Sequence, residues 1–224
     1  MQRSGCKEIL ATTSLHVYDE AMSENPDVPE PDVRTLDPRS LRGLAHPLRM
    51  RLLNALRHHG PATASQLADR LGESSGATSY HLRQLASHGF VADDPERGKG
   101  RERWWKAADK GVMVDATLHF DPSPEVRGAL STFMHESASI HGQEVSTWLG
   151  TMHDWPDVWA TKADLSDFTL RLTPELLAEL DGRIHDLIAS YTDRAAPEGE
   201  DDAAQVRIHL HAFPQKRLDG QPEA

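Results

Sequence analysis

The sequence is poor in cysteine, since Cys6 is the only one among its 224 residues. A single thiol can form neither an intrachain disulfide nor a cluster of thiolate metal ligands, so both are excluded. Long apolar runs are also missing: none approaches the roughly 18 residues of a membrane span, and residues 1–7 lack the apolar core of a signal peptide. We therefore expect a soluble protein of the reducing cytoplasm that makes no contact with membranes.

Sequence signatures of catalysis are absent as well. The chain has no Gly-x-Ser-x-Gly nucleophile elbow, no phosphate-binding P-loop and no dinucleotide fingerprint. Its acidic residues are scattered over polar stretches, which is typical of a solvated surface. The sequence predicts neither an enzyme nor a bound cofactor.

Positive charge is scarce overall, because 24 Lys and Arg face 35 Asp and Glu, a formal net charge of −11. Proteins that bind DNA neutralise phosphates with Lys and Arg, so this balance argues at first against nucleic acid. The distribution of positive charge along the chain favours DNA binding instead. Residues 37–110 hold thirteen basic against eight acidic residues, a net of +5, while the remainder has a net of −16. The acidic flanks are expected to limit non-specific binding.

The basic segment has the pattern of a helix-turn-helix. Asp37-Pro38 supplies an N-cap and a proline at the first helical position, His46-Pro47 restarts the helix, and Gly60-Pro61 ends it. Thr63 is the expected N-cap of a helix over residues 64–71, and Gly72 supplies the turn. Ser74 or Ser75 is expected to cap the following helix, which ends near residue 88.

This last helix has two different predicted faces. Thr78, Leu82 and Leu85 recur at helical spacing and are predicted to pack inward. The opposite face is small, polar or basic, with Gly76, Ser79, Tyr80, Arg83 and Ser87. An α-helix fits the DNA major groove, where Arg83 can pair bidentately with guanine and Ser79 and Tyr80 can donate to bases or phosphates. Gly76 allows close backbone approach.

Two short strands, at residues 90–93 and 102–106, are predicted to form a β-wing. Their connecting loop carries Arg97, Lys99 and Arg101, which we expect to contact phosphates or enter the minor groove. Helix N-termini favour phosphate as well. The predicted DNA contacts are therefore Ser65, Gln66, Ser74, Ser75, Gly76, Ser79, Tyr80, Arg83, Arg97, Lys99 and Arg101.

The sequence after residue 111 predicts a second unit, built of both helices and strands. A helix over residues 124–152 would be about 43 Å long at 1.5 Å per residue, so we expect a second copy of the chain to cover its apolar stripe. Strands are predicted around Ala116-Leu118-Phe120, Phe168-Leu170-Leu172 and Val206-Ile208-Leu210-Ala212. A further helix, capped by Thr173, is predicted to bury Leu176, Leu177, Leu180, Ile184 and Leu187.

The predicted fold class is α+β: a winged helix-turn-helix domain followed by a long dimerisation helix and a small α+β unit. We expect a flexible arm at residues 1–36, the DNA-binding domain at 37–111, the α+β dimerisation and effector unit at 112–213, and a disordered tail at 214–224.

The segment 44–53 (Leu-Ala-His-Pro-Leu-Arg-Met-Arg-Leu-Leu), followed by residues 64–71, 79–85 and 89–91, resembles the ArsR-type winged helix-turn-helix transcriptional regulators. The resemblance covers about a third of the chain. It implies a homodimer that binds a partly palindromic operator in double-stranded DNA, usually as a repressor released by an effector, and it places the recognition helix at Ser75–Ser87. Many metal-sensing members carry a cysteine pair where this chain has Ala68 and Asp69, which argues against thiolate sensing.

Other ligands stay open as alternatives. Thirteen histidines include His209 and His211 on one predicted strand, possible neighbours of His119, and His141 one turn from Glu144 with His135 nearby, but no strong metal-ligand spacing occurs. We expect ordinary surface histidines and no metal site. Trp148, Trp155 and Trp159, with Met152, are a candidate effector pocket, although core or dimer contact is the simpler interpretation. The alternative function is a winged-helix protein-interaction module whose C-terminal unit senses a ligand or metal.

Overall fold

The computed structural model describes residues 33–97, 102–192, 194–197 and 199–216. Most of the predicted arm, the wing residues Lys99 and Arg101, Cys6 and most of the predicted tail lie outside the described residues. Contacts divide the chain into two compact units, residues 10–150 and residues 151–224 together with 1–9. We call them the winged-helix unit and the C-terminal unit.

The first three helices of the winged-helix unit have the expected caps. Helix α1 (Pro38–Leu44) starts at Asp37, whose side chain accepts a hydrogen bond from the Ser40 backbone. Helix α2 (Pro47–His59) starts at His46 and ends at Gly60, where φ is 76°. Helix α3 (Ala64–Leu71) starts at Thr63. These starts and stops confirm the positions that the sequence predicted.

The turn of the helix-turn-helix is formed by a left-handed residue. Gly72, with φ 67° and ψ 34°, ends α3, and Ser74 caps α4 (Ser75–Ser87) by accepting from the Ala77 backbone. A side chain disfavours this backbone conformation, which explains why glycine occupies the turn. The second helix of the motif therefore has the predicted bounds.

A three-stranded antiparallel sheet completes the winged helix. Strand β2 (Ala62–Thr63) and strand β3 (Val91–Asp93) lie on either side of β4 (Trp104–Ala107). Ala62 pairs with Trp105, and Val91 pairs with Ala107. The hairpin β3–β4 is the predicted wing, so the fold is a winged helix within a mixed α+β chain.

A second, two-stranded sheet corrects the N-terminal boundary. Strand β1 (Val33–Leu36) runs parallel to β5 (Gly111–Val114), with Leu36 opposite Val114. Leu36 is fully buried, so residues 33–36 belong to the folded unit and not to a flexible arm. Four residues are too few to show a period in the sequence, and their partner lies more than seventy positions away.

A half-buried arginine links α2 to the turn between β4 and β5. Arg57 of α2 donates from Nε to the Asp109 carbonyl at 3.0 Å, and burial lowers the pKa of Arg57 to about 10. Arg34 of β1 lies 4.0 Å from the Asp109 carboxylate and 4.5 Å from the centre of the Phe90 ring. The turn between β4 and β5 is thereby held against α2 and β1.

The long helix α5 (Pro124–Thr151) has nearly the predicted bounds, but its partner differs from the prediction. Val126, Leu130 and Phe133 are buried in the core that α1, α2 and α4 also line. The first half of the stripe thus packs within its own chain, and a second copy is not needed to cover it. A single helical period cannot distinguish these two partners.

Residues 116–120 form a 3-10 helix, where the sequence predicted a strand. The Asp115 carboxylate accepts from the backbone N–H and the hydroxyl of Thr117, at 2.8 and 2.6 Å, which turns the chain. Leu118 is buried while Phe120 is 87% exposed. The local turn therefore overrides the apparent alternation.

The C-terminal unit contains the short helix α6 (Asp157–Ala160) and α7 (Pro174–Thr192). Thr173 caps α7 as predicted, through its hydroxyl and the Leu176 backbone. The predicted strands are absent: no residue of 164–172 or 204–213, all of them described, lies in a strand. None of the apolar residues of α7 is buried, contrary to prediction.

Among the described residues, no helix combines the length and the apolar character that crossing a bilayer requires.

Phe133 should anchor α5 to the winged-helix unit, because its ring is only 1% exposed. We expect Phe133→Ala to lower the free energy of unfolding by about 3–5 kcal/mol in urea titrations. Leu149→Ala, on the same helix but 44% exposed, is the matched control and should change it by less than about 0.5 kcal/mol. Equal effects of the two substitutions would contradict the packing described here.

Candidate nucleic-acid interface

Helix α4 buries one face completely and leaves the other accessible. Thr78, Leu82 and Leu85 are 0% exposed, as their spacing predicted. On the opposite face Tyr80 is 52% exposed, and Arg83 is also exposed. Because the buried side chains fix the rotation of the helix about its own axis, the orientation of Arg83 follows from the core.

The rest of this face is small or polar. Gly76 and Ser87 are exposed, Ser79 is half-buried, and a side chain at Gly76 would meet open space. Tyr80 is the only exposed large hydrophobic residue in the described part of residues 33–114. A surface of this composition suits a hydrated, polar partner better than an apolar protein groove.

The predicted phosphate-binding side chains at the two helix starts are exposed, but two of them already serve as caps. Gln66 Oε1 accepts from the Thr63 backbone at 2.9 Å, which leaves the Gln66 amide NH₂ as a donor. Ser74 Oγ accepts from the Ala77 backbone at 3.2 Å. Ser65 and Ser75 are exposed. Their contact with DNA stays a prediction.

An arginine that the sequence analysis did not single out holds the turn between α3 and α4. Arg51 of α2 donates to the Leu71 carbonyl at 2.9 Å and lies 3.3 Å from the Glu73 carboxylate. One side chain therefore satisfies the carbonyl end of α3 and the turn that follows. Arg51 is one of three arginines in α2, and only the folded structure distinguishes it from Arg49 and Arg57.

Acidic residues at the base of the wing neutralise part of its charge. Arg103 pairs with Asp93 at 3.2 Å and lies 4.1 Å from the Trp105 ring centre. Asp94, a buried side chain, lies 3.8 Å from Arg97 and 3.9 Å from Lys106. Among the predicted wing contacts only Arg97 is described, and it is exposed but already paired.

Two histidine rings meet where the start of α2 contacts α4. The His46 and His81 rings are 4.3 Å apart, with 35° between their planes, and Tyr80 meets His81 edge-on at 5.1 Å. His46 Nδ1 accepts from the Leu48 backbone at 3.2 Å, so this nitrogen carries no proton when it caps α2. His81 Nδ1 is buried without a hydrogen-bond partner.

The surroundings of this pair favour neutral rings. Burial, and then the charge of Arg49, lower the pKa of His46, while Glu136 opposes the shift. Burial is also the main cause that lowers the pKa of His81, followed by the charges of His46 and Arg49, while Glu73 opposes it. A proton on either ring would be disfavoured by the nearby positive charge of Arg49.

A third histidine packs at the end of α4. The His88 ring lies against Gly43 so closely that a side chain at residue 43 would clash with it. Burial, followed by the charge of Arg39, lowers the pKa of His88, and Asp37 opposes this shift.

The histidines and tryptophans that were candidates for ligand binding do not come together at one site in the described residues. Within the described residues no group of three His, Cys, Asp or Glu side chains could hold a metal ion. His209 and His211 are neighbours, with ring centres 6.5 Å apart, whereas Glu144 bonds to Asn54 and His135 to the Ser131 carbonyl. Trp155 and Trp159 meet edge to face at 6.4 Å, and Trp148 belongs to the other unit.

An open cleft of about 430 Å³ lies between α2 and α3, lined by Ala55, His59, Arg70 and Leu71. Its lining mixes an apolar wall with two polar side chains. No predicted DNA contact lines it.

Comparison with known proteins agrees with this architecture. Residues 44–93 match the family model described as "Helix-turn-helix domain". The matched segment spans α2, α3, α4 and β3, and it supports a DNA-binding regulator. No curated protein matches the sequence. A solved structure described as "Structure of Disulfide formed AbfR" is similar at 18% identity over 47% of this chain and 70% of that chain, with a TM-score of 0.26.

Acid should destabilise the protein through the three histidines. Their pKa values in the folded state lie below the ordinary value near 6.5, so their contribution to stability is complete above pH 6.5 and is lost as the pH falls through the folded values. We expect the urea midpoint to fall between pH 7.5 and 5.5. His46→Asn, which keeps a capping side chain but cannot titrate, should reduce this dependence, while His81 and His88 still contribute to it.

The control for this measurement is His59→Asn, which removes an exposed histidine from the same helix. This variant should keep the dependence of the wild type. An urea midpoint that is constant over this pH range in the wild type would contradict the assignment.

Proposed function

We propose that the protein is a sequence-specific transcriptional regulator that binds double-stranded DNA through α4, as a homodimeric, ArsR-type repressor responsive to a small-molecule effector. The observation that carries the proposal is the pairing of a fully buried inner face of α4 with an exposed face bearing Tyr80 and Arg83. The motif order 44–53, 64–71 and 79–85 supports the ArsR-type assignment, from which the dimer, the repressor mode and the cytoplasmic location are inferred.

The proposed mechanism divides affinity and specificity between two kinds of contact. Arg83 reads a guanine edge in the major groove, where its guanidinium can donate two parallel hydrogen bonds to O6 and N7. Ser65, Ser75 and the amide of Gln66 position the protein on the phosphates, together with the wing residues Arg97, Lys99 and Arg101. A repressor of this kind acts by occupying an operator that overlaps a promoter.

The protein-interaction alternative has less support at α4. A docking helix inserts apolar anchors into a groove, whereas the accessible face of α4 offers Tyr80 as its only large hydrophobic side chain among the described residues. The basic surplus of residues 37–110 also matches a polyanion.

Arg83→Ala should reduce discrimination between the operator and unrelated DNA. A lost bidentate contact is worth about 1–3 kcal/mol, or roughly 5- to 150-fold in affinity for the operator, with little change for unrelated duplex. Operators can be selected from genomic fragments that the wild type binds, and fluorescence anisotropy gives the affinities at two salt concentrations.

The matched control is Arg127→Ala, which removes the same charge from an exposed position on α5. It should leave both affinities within about twofold of the wild type. Equal and weak binding of all three proteins to every duplex would refute the proposal.

A further inference from the structure

The described part of the C-terminal unit has no buried core. Every buried residue of the described chain lies at or before Ser137, and none lies in the described part of residues 151–216. In that part, fourteen large hydrophobic side chains, from Trp155 to Phe213, are at least 36% exposed. Soluble monomers rarely expose a contiguous apolar area larger than a few hundred Å².

Two segments of this unit have the alternating pattern of half-buried strands without lying in a sheet. In the first, Phe168, Leu170 and Leu172 are 83%, 65% and 39% exposed. In the second, Val206, Ile208 and Leu210 are 64%, 64% and 40% exposed. Residues 164–172 and 204–213 are all described, and none of them is assigned to a helix or a strand.

Helix α7, between the two segments, has an exposed apolar stripe as well. Leu176, Leu180 and Leu187 are 49%, 36% and 60% exposed. Spacings of four and eleven residues place them within about 40° of one another around the helix, at 100° per residue. The unit therefore offers a helix face of the kind that covers a sheet, together with two strand-like segments that lack one.

The described residues of one chain supply only two such segments. Two strands alone are marginal in water, and three or more strands with a covered face are needed for stability. A second copy supplies two more segments and a second α7, which makes four strands and two covering helices. A two-fold axis gives each copy the same environment, since every contact i to j is matched by j to i.

The exposed apolar area of this unit is large enough for a stable interface with a second copy of the chain. Fourteen large side chains at about half exposure present on the order of 1,000 Å² of apolar surface. A stable interface of standard size buries about 800 Å² on each partner. The polar faces are not uniformly acidic, because Arg171 alternates with the first apolar set and Arg207 with the second.

We propose that residues 164–172 and 204–213 form strands only when two copies of this chain associate, in one intermolecular sheet covered by both copies of α7. This proposal rests on the proposed homodimer, whose interface it places in the C-terminal unit. Folding of the C-terminal unit is then coupled to dimerisation.

Hydrogen exchange on the full-length wild type tests this directly. Sedimentation should give a species of twice the 24.9 kDa chain mass at high concentration. At that concentration the amides of both segments should exchange at least about tenfold more slowly than after dilution to the monomer. Fast exchange in the dimer would overturn the proposal, and so would slow exchange in the monomer, because the sheet would then form within one chain.

Charge substitution gives a second, independent test. Leu170→Arg and Ile208→Arg place a charge on the apolar faces and should shift the protein to the monomer by at least about tenfold in dissociation constant, while Thr169→Arg, on the opposite face, should remain dimeric. If the two apolar-face variants also remain dimeric, the interface lies elsewhere and the proposal fails. The preference for operator over unrelated DNA, and its dependence on Arg83, reports separately on the proposed function.

Discussion

The complete burial of Thr78, Leu82 and Leu85 is the constraint on which the rest of the winged helix depends. These three side chains fix the rotation of α4 against α2, α3 and β3. Once that rotation is set, helix geometry alone directs Gly76, Tyr80 and Arg83 to solvent. The supporting contacts act on the same element, since Arg51 holds the turn before α4 and His46 stacks on His81 within it.

The features of the winged helix that could be predicted from the sequence depend on residues that are close together along the chain. Thr63 and Gly72 act on backbone groups a few positions away, so the bounds of α3 and α4 and the inner face of α4 followed from spacing and caps. The pairing of β1 with β5, the His46–His81 stack and the contact of Arg51 with Leu71 join distant positions. A single sequence contains no record of such distances, so these features required the structure.

The C-terminal unit shows that an alternating apolar pattern does not by itself predict a strand within one chain. Its alternating segments around Leu170 and Ile208 have the pattern of strands, yet neither is assigned to a strand and their apolar side chains are exposed. Alternation reports that one side of a segment is suited to burial, and it does not report what buries it. Similarly, the stripe of α5 predicted a covered face correctly but assigned Val126 and Phe133 to a second copy, whereas the core of the same chain covers them.

Mapping amide chemical shifts of the full-length protein during titration with a selected operator duplex tests whether DNA binds to α4. If it does, the largest changes fall on Gly76, Tyr80 and Arg83 of α4 and on the wing, while the amides of α7 change little. Changes concentrated in α7 and residues 151–216, with α4 unaffected, would contradict DNA binding through α4.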